Sequence, residues 1–127
     1  MKHVELHIEH EPMGMKAAHA SFKYNLIFKK TDGSTVTRDG KGTVTDTTRN
    51  RITLDALIES LDRLREPVEL VIYSSNEYIV NMLNRGMYLD WEKNGYRNKK
   101  GKLVADYEKW QQLTGKLKGH SVKAIKK

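Results

Sequence analysis

The chain has 127 residues and a mass of 14.7 kDa, which predicts one domain with a single core. Hydrophobic residues make up 38% and charged residues 31%, a balance typical of a globular protein rather than a disordered one. Cysteine is absent, which excludes disulfide scaffolds, thiol nucleophiles and thiolate metal sites. No apolar run approaches the ~18 residues of a membrane span, and no secretory leader is evident. We therefore expect a cytoplasmic protein with no membrane partner.

The positive charge is concentrated near the C-terminus. The formal net charge is +7, but residues 85–127 contain 12 basic and 4 acidic residues, whereas residues 1–84 contain 11 basic and 12 acidic residues. This asymmetry favours a polyanionic partner, with nucleic acid ahead of an anionic membrane surface. The alternative is a charged surface that serves solubility alone.

Three strand-like segments open the chain. Residues 4–9 alternate apolar and polar side chains, which is the period of a half-buried strand, and a second run covers residues 21–28. An Asp-Gly pair at residues 32–33 predicts a hairpin turn. A third strand, rich in Thr, Val and Gly, is predicted over residues 35–45, with Gly40 and Gly42 as irregularities. The short turns between these segments predict an antiparallel meander.

The hydrophobic pattern then changes to helical spacing. The apolar face of the first predicted helix comprises Leu54, Leu57, Ile58, Leu61 and Leu64. Pro67 prevents this helix from continuing, and residues 68–73 form an apolar run that we interpret as a buried strand reached by a helical crossover. Further helices are predicted over residues 77–84 and 87–93, followed by a basic loop at 95–104. Another helix begins at Asp106, and a last strand is predicted over 121–125. This order predicts an α/β fold.

Several stretches carry recognisable local motifs. Residues 47–54 read TTRNRITL, residues 72–79 read IYSSNEYI, and the segments 91–97 and 106–113 read WEKNGYR and DYEKWQQL. The first resembles the stretch that opens the first helix of the type I ribonuclease H family, and the second resembles the end of that family's fourth strand. The last two resemble its basic protrusion and the helix after it.

The resemblance extends over residues 3–125 and implies a fold. We expect residues 1–127 to form a single ribonuclease H-like domain with a five-stranded mixed sheet flanked by helices. Three antiparallel strands come first, followed by a crossover to parallel strands. The basic protrusion is expected at about residues 87–104.

The chemistry that the resemblance implies is metal-dependent hydrolysis of the RNA strand of an RNA–DNA hybrid. In the family, four carboxylates hold two divalent metals about 4 Å apart, because the repulsion between the ions must be offset. Three of these positions match Glu9, Thr53 and Ser75 here, and the fourth lies on a helix beyond the point where this sequence ends. Glu9 is the one candidate metal ligand. We expect no catalytic residues and no cofactor, with Mg²⁺ or Mn²⁺ as the metal if the chain is active.

Neighbouring acidic residues do not replace the missing carboxylates. Asp55 lies two residues beyond Thr53, about 200° around the helix and therefore on its opposite side. Glu77 lies two residues beyond Ser75 at a predicted helix start, where its simplest role is a favourable interaction with the helix dipole. Neither position predicts a metal site.

The histidines are also interpreted without a catalytic role. His3, His7 and His10 would align on a helix, but the alternating strand pattern places His10 on the other face from His3 and His7, which argues against a zinc site. Residues 118–120 read Lys-Gly-His, similar to a family stretch that follows the last strand. Here the letters precede that strand, so we expect a turn with a positively charged edge.

The nucleic-acid-binding features of the family are better retained. Thr48, Arg49, Asn50 and Arg51 resemble a phosphate-gripping corner near a helix N-terminus, with helix capping and a solvated arginine pair as the alternative. A second group interleaves aromatic rings with cations: Trp91, Lys93, Tyr96, Arg97, Lys99, Lys100 and Lys102. The cations suit phosphates, and the rings suit sugars or bases. Alternatively, the rings of Trp91 and Tyr96 belong to the core and the lysines only keep the loop solvated. Trp110 and Tyr107, three residues apart on a predicted helix, are expected to be core residues.

Three functions are consistent with these features. The preferred one is a nucleic-acid-binding domain, a pseudoenzyme that recognises an RNA–DNA hybrid or duplex by its shape and backbone, with nuclease activity lost or very weak. The first alternative is an active, metal-dependent hybrid ribonuclease. The second is a protein-interaction module that reuses the fold. The sequence predicts no particular oligomeric state.

Overall fold

The computed structural model describes residues 1–127, and its elements follow the predicted order. The strands and helices are β1 (Lys2–His10), β2 (Lys16–Lys29), β3 (Thr35–Thr48), α1 (Arg49–Leu61), β4 (Val68–Ser74), α2 (Glu77–Asn84), α3 (Met87–Lys93), α4 (Tyr107–Leu117) and β5 (Ser121–Lys126). The predicted sequence of elements is confirmed. The second and third strands are longer than predicted, because their antiparallel ladder continues from Lys29–Thr35 as far as Lys16–Thr48.

The strands form one mixed sheet in the order β3-β2-β1-β4-β5. The pairs β1–β2 and β2–β3 are antiparallel, whereas β1–β4 and β4–β5 are parallel. Helix α1 provides the crossover that a parallel connection between β3 and β4 requires. The predicted arrangement of three antiparallel strands followed by parallel strands is confirmed. It brings the carboxyl ends of β1, β4 and β5 to the same end of the sheet.

The two glycines of β3 accommodate aromatic rings from β2. Gly40 pairs with Tyr24 and Gly42 with Phe22 in regular antiparallel register. A Cβ atom on Gly40 would lie 2.1 Å from the Tyr24 ring, and one on Gly42 would lie 2.5 Å from the Phe22 ring. The rings therefore lie directly over the glycine backbone. The prediction that Gly40 and Gly42 are irregularities is wrong: both are ordinary strand positions that lack a side chain because a neighbouring ring needs the space.

One face of the sheet carries the hydrophobic core. Val4, Leu6 and Ile8 of β1 are buried beneath the helices, and they belong to a single cluster of 26 buried hydrophobic residues. Trp110 of α4 is 1% exposed, so the prediction that it is a core residue is confirmed, whereas Tyr107 is partly buried and packs against the cluster from its border. No helix is long and apolar enough to cross a bilayer.

The opposite face of the sheet is polar and linked by ion pairs. The Glu5 carboxylate lies 2.5 Å from Lys29 Nζ and 3.1 Å from His7 Nε2. The His7 ring stacks on Tyr73 of β4, with centroids 4.4 Å apart and an interplanar angle of 2°. The Lys29 ammonium, and after it the His7 ring, hold the pKa of Glu5 below its ordinary value of 4.5.

This lowered pKa predicts a specific acid sensitivity. A carboxyl whose pKa is lower in the folded state stabilises the fold fully above its unfolded pKa and loses that contribution as the pH falls through the folded pKa. We therefore expect the melting temperature of the wild type to fall more steeply below pH 4.5 than that of Glu5→Gln. The control is Glu108→Gln, an exposed residue without an ion pair. Equal acid slopes for wild type and Glu5→Gln would contradict this assignment.

Candidate functional site

The three positions that the resemblance assigns to metal ligands lie near one end of the sheet. The parallel ladder between β1 and β4 ends two residues before Glu9 and Ser75, so Glu9 lies near the carboxyl end of β1 and Ser75 directly follows the adjacent β4. Thr53 lies in the first half of α1, and its Oγ1 atom is 3.3 Å from the side-chain nitrogen of Asn76, the residue after Ser75. The structure therefore brings Thr53 close to the residue after Ser75. The Glu9 side chain, the one acidic group of the three, lies on the polar face of the sheet beside Lys23 of β2.

Neutral hydrogen bonds fill the space around Thr53. Its side chain is buried, and its hydroxyl donates to the Arg49 carbonyl at 2.8 Å. The Asn76 amide donates to Asn50 Oδ1 at 2.9 Å, while its oxygen caps α2 by accepting from the Ile79 backbone N–H at 3.1 Å. This network joins the N-termini of α1 and α2. It provides amide and hydroxyl groups where a metal centre requires negative charge.

Two ammonium groups already neutralise Glu9. The Lys23 Nζ atom lies 3.2 Å from one carboxylate oxygen and the Lys127 Nζ atom 3.7 Å from the other. Lys127 also donates to the Ile8 carbonyl at 3.4 Å. Lys23 first and Lys127 second hold the pKa of Glu9 below its ordinary value, so the group is ionised at neutral pH. A divalent cation would have to displace both lysines.

The site as a whole does not fit two divalent cations. The structure contains no group of three or more His, Asp or Glu side chains arranged to hold a metal ion. Asp55 pairs with Lys109 of α4 at 2.6 Å, away from Thr53, and Glu77 is an exposed residue 3.8 Å from Lys126. A single exposed carboxylate that is shared by two lysines does not offset the repulsion between two divalent ions.

The proposed phosphate-gripping corner divides into two parts. Thr48 caps α1 by accepting from the Arg51 backbone N–H at 3.1 Å. The Arg51 guanidinium donates to the Asp106 carboxylate at 2.9 Å and to the Asp46 carbonyl at 3.0 Å. Arg51 therefore ties α1 to the start of α4, while its side chain remains 41% exposed. Its contacts are structural, since both donating nitrogens have protein acceptors.

Arg49 and Asn50 lie on the other side of the corner. The Arg49 Nε and Nη2 atoms donate to the Met13 carbonyl at 3.3 and 2.9 Å, which joins α1 to the connection between β1 and β2. Asn50 accepts from Asn76 and faces the same cavity as Ser75. Arg49 and Asn50 thus line the candidate site directly, whereas Thr48 caps α1 and Arg51 holds α1 against the start of α4.

The aromatic rings of the predicted protrusion belong to the core. Trp91 and Tyr96 are each only 6% exposed. Trp91 packs edge-on against Trp110, with ring centroids 5.1 Å apart and an interplanar angle of 70°. The prediction that the two rings pack on sugars or bases is wrong, because α3 packs against α4 and encloses them. The alternative, that both rings are core residues, describes the structure.

The cations of the same segment are exposed on residues 93–102, which comprise the last residue of α3 and the ordered loop after it and which we call the basic loop. Its backbone is held by Asn98, whose side-chain oxygen accepts from the N–H groups of Lys100 and Lys102 at 2.9 and 3.1 Å. Five of its cations are exposed and none forms an ion pair: Lys93, Arg97, Lys99, Lys100 and Lys102. Their positive field is therefore uncompensated within the chain.

The remaining histidines make separate local contacts. His3 Nδ1 lies 2.7 Å from the Glu69 carboxylate, whereas His7 pairs with Glu5. His10 contacts the neighbouring carbonyl of Glu11 at 2.9 Å.

The Lys-Gly-His segment forms the predicted turn before β5. Gly119 has a φ of +87°, and Lys118 lies 2.8 Å from the Glu92 carboxylate, which raises the pKa of the lysine. His120 Nδ1 accepts from the Val68 backbone N–H at 3.1 Å, at the start of β4. The prediction of a turn with a positively charged edge is confirmed, and His120 supports a strand end.

Sequence reasoning missed three residues at the site. Asn76 connects the two helix N-termini, and Lys126 and Lys127 reach the site from the end of β5. A signal for the lysines was available: the last strand was expected to be parallel, so residues that follow it arrive at the same edge as Ser75.

Comparisons with known proteins agree with this architecture. The sequence model of the RNase H family matches residues 24–126. A ribonuclease H of Caldicellulosiruptor saccharolyticus is 39% identical over 83 residues, which cover 65% of this chain and 57% of that protein. The chain therefore spans little more than half the length of this relative.

Solved structures show the same fold. The crystal structure of LC9-RNase H1, a type 1 RNase H with the type 2 active-site motif, superposes with a TM-score of 0.80 at 21% identity, covering 99% of this chain and 63% of that one. A foamy viral protease-reverse transcriptase in complex with RNA/DNA hybrid superposes with a TM-score of 0.67 at 14% identity, covering 99% of this chain and 17% of that one. The expected ribonuclease H-like fold is confirmed. Since the family model covers most of the chain and the strand order agrees, the chain belongs to the type I ribonuclease H family.

Proposed function

We propose that this chain binds RNA–DNA hybrid or duplex nucleic acid, and that metal-dependent hydrolysis is lost or very weak. The observation that carries the proposal is the basic loop with its five exposed cations free of ion pairs. Cations of this kind neutralise backbone phosphates and release counterions, which supplies most of the affinity of sequence-independent binding. Because the aromatic rings of the segment are buried, recognition depends on the backbone rather than on stacked bases.

The preference for a hybrid follows from the family. A relative carries the name ribonuclease H, and one of the matched structures holds an RNA/DNA hybrid. A-form duplexes display their backbones across a wide, shallow minor groove, and proteins recognise them mainly through shape and phosphate contacts. An ordered loop of exposed cations suits this kind of recognition.

The proposed loss of hydrolysis rests on the electrostatics of the site. Two divalent cations need several carboxylates to hold them at short separation. The site offers Glu9, which is occupied by lysines, together with a hydroxyl at Thr53 and another at Ser75. The alternative of an active ribonuclease is favoured by the names of the relatives, and a direct cleavage assay separates the two.

Binding is tested first without metal. Fluorescence anisotropy of a labelled RNA–DNA hybrid in EDTA, measured across a salt series, should give an affinity that falls steeply as salt increases. If three to five loop cations each neutralise one phosphate, the slope of log K against log salt is roughly −3 to −4.5. The absence of binding even at low salt would contradict the proposal and favour a protein-interaction module.

Cleavage is tested with the same hybrid. After addition of Mg²⁺ or Mn²⁺, we expect the RNA strand to stay intact under conditions where binding is saturated. Metal-dependent cleavage that Glu9→Ala abolishes would contradict the loss of hydrolysis and establish the active alternative. The buffer without metal is the control for contaminating nucleases.

A further inference from the structure

A cavity of about 620 Å³ opens beside Ser75, one of the three metal-ligand positions, next to the N-terminus of α1. It lies between the end of β1, the N-terminus of α1, the connection from β4 to α2 and the end of β5. Its polar lining consists of His10, Arg49, Asn50, Ser75, Asn76, Glu77 and Lys126. Two permanent cations thus face one carboxylate, so the cavity carries the opposite electrostatic character from a divalent metal centre.

Several hydrogen-bond donors around this cavity are not used within the chain. Arg49 bonds to Met13 through Nε and Nη2, which leaves Nη1 available. The Asn50 oxygen accepts from Asn76, which leaves the Asn50 NH₂ group available. Lys126 is only loosely paired with Glu77, at 3.8 Å. These donors come from two different elements, α1 and β5, and line one cavity.

Donors of this kind suit a tetrahedral anion. A guanidinium and an ammonium make charge-assisted hydrogen bonds to phosphate oxygens, and amide or hydroxyl groups complete the remaining bonds. We propose that the cavity binds one backbone phosphate of the nucleic acid directly, through Arg49, Asn50, Ser75 and Lys126, without a bridging metal ion. The inference rests on the proposed function for the identity of the ligand. Positively charged side chains would then do for binding what metal ions do in an active relative.

Lys126→Gln tests the inference against a matched control on the same strand. Lys123 is also exposed on β5 but does not line the cavity and forms no ion pair. For hybrid binding in EDTA, we expect Lys126→Gln to reduce the magnitude of the salt slope by about one, as the loss of one phosphate contact requires. Lys123→Gln should keep the wild-type slope. Equal slopes for wild type and Lys126→Gln would overturn the inference.

A titration with inorganic phosphate alone locates the site independently of nucleic acid. In metal-free buffer, the largest amide chemical-shift changes are expected at Asn50, Ser75 and Asn76, and Lys126→Gln should diminish them. Changes confined to the basic loop would overturn the subsite while leaving hybrid binding intact. If phosphate shifts these three amides but no hybrid binds at any salt concentration, the subsite stands and the proposed nucleic-acid function fails.

Discussion

Replacing Trp91 with alanine is expected to lower the free energy of unfolding by about 3–5 kcal/mol. The indole is 6% exposed and packs edge-on against Trp110, at a centroid distance of 5.1 Å. Its carbonyl also accepts from the Tyr96 backbone N–H, so the residue joins α3 to the beginning of the loop. Truncation removes apolar contacts and leaves a cavity between α3 and α4. Because a domain typically has only about 5–15 kcal/mol of stability, the loss is severe.

Urea unfolding measures this loss directly. Leu89→Ala on the same helix is the control, since Leu89 is 46% exposed and a surface change of this kind usually alters stability by about 0.5 kcal/mol or less. Trp91→Phe keeps an aromatic ring in the core and should remain folded. Its affinity for the hybrid should equal that of the wild type, because the indole does not reach the surface. Weakened binding by a stable Trp91→Phe protein would instead place the ring in the interface.

The order of elements was predictable because each element has a local pattern. The alternation in β1 and the helical spacing in α1 each lie within one short segment, and Pro67 separates α1 from β4. The orientation of Trp91 and Tyr96 was not predictable in this way. Aromatic residues among lysines are compatible with either a core or a binding surface, and the deciding contact, with Trp110, lies 19 residues away in the chain.

The contacts of the candidate site were also not predictable, because they join residues that are even farther apart in the sequence. A position-by-position comparison identified Glu9, Thr53 and Ser75, and the structure places all three near one end of the sheet, with the Glu9 side chain on its polar face. It did not identify the partners, because Lys127 reaches Glu9 from the opposite end of the chain. Similarly, Arg51 looked like a phosphate ligand in its local motif, but its partner Asp106 is 55 residues away. Local sequence specifies an element, whereas tertiary pairing decides whether a charge is available to a ligand.

Replacing Lys99, Lys100 and Lys102 together with glutamine is expected to reduce hybrid affinity by roughly two orders of magnitude near physiological salt. Each lost phosphate contact removes about 0.9 from the magnitude of the salt slope, so the triple variant should lose roughly 2.7. Stability should hardly change, because the loop backbone is held by Asn98 and the lysine side chains form no ion pairs. Anisotropy across a salt series and thermal unfolding provide the two readouts.

A control of equal charge distinguishes the basic loop from net charge alone. Lys30, Lys41 and Lys123 are exposed, unpaired and remote from the basic loop in sequence, so their replacement with glutamine removes the same three charges. This variant should retain most of the salt slope, because direct phosphate contacts rather than the overall field determine the slope. Equal losses in both triple variants would mean that the whole basic surface attracts nucleic acid without a defined interface. Unchanged binding in the loop variant would mean that these three uncompensated cations contribute nothing to the contact, and it would contradict the proposed interface.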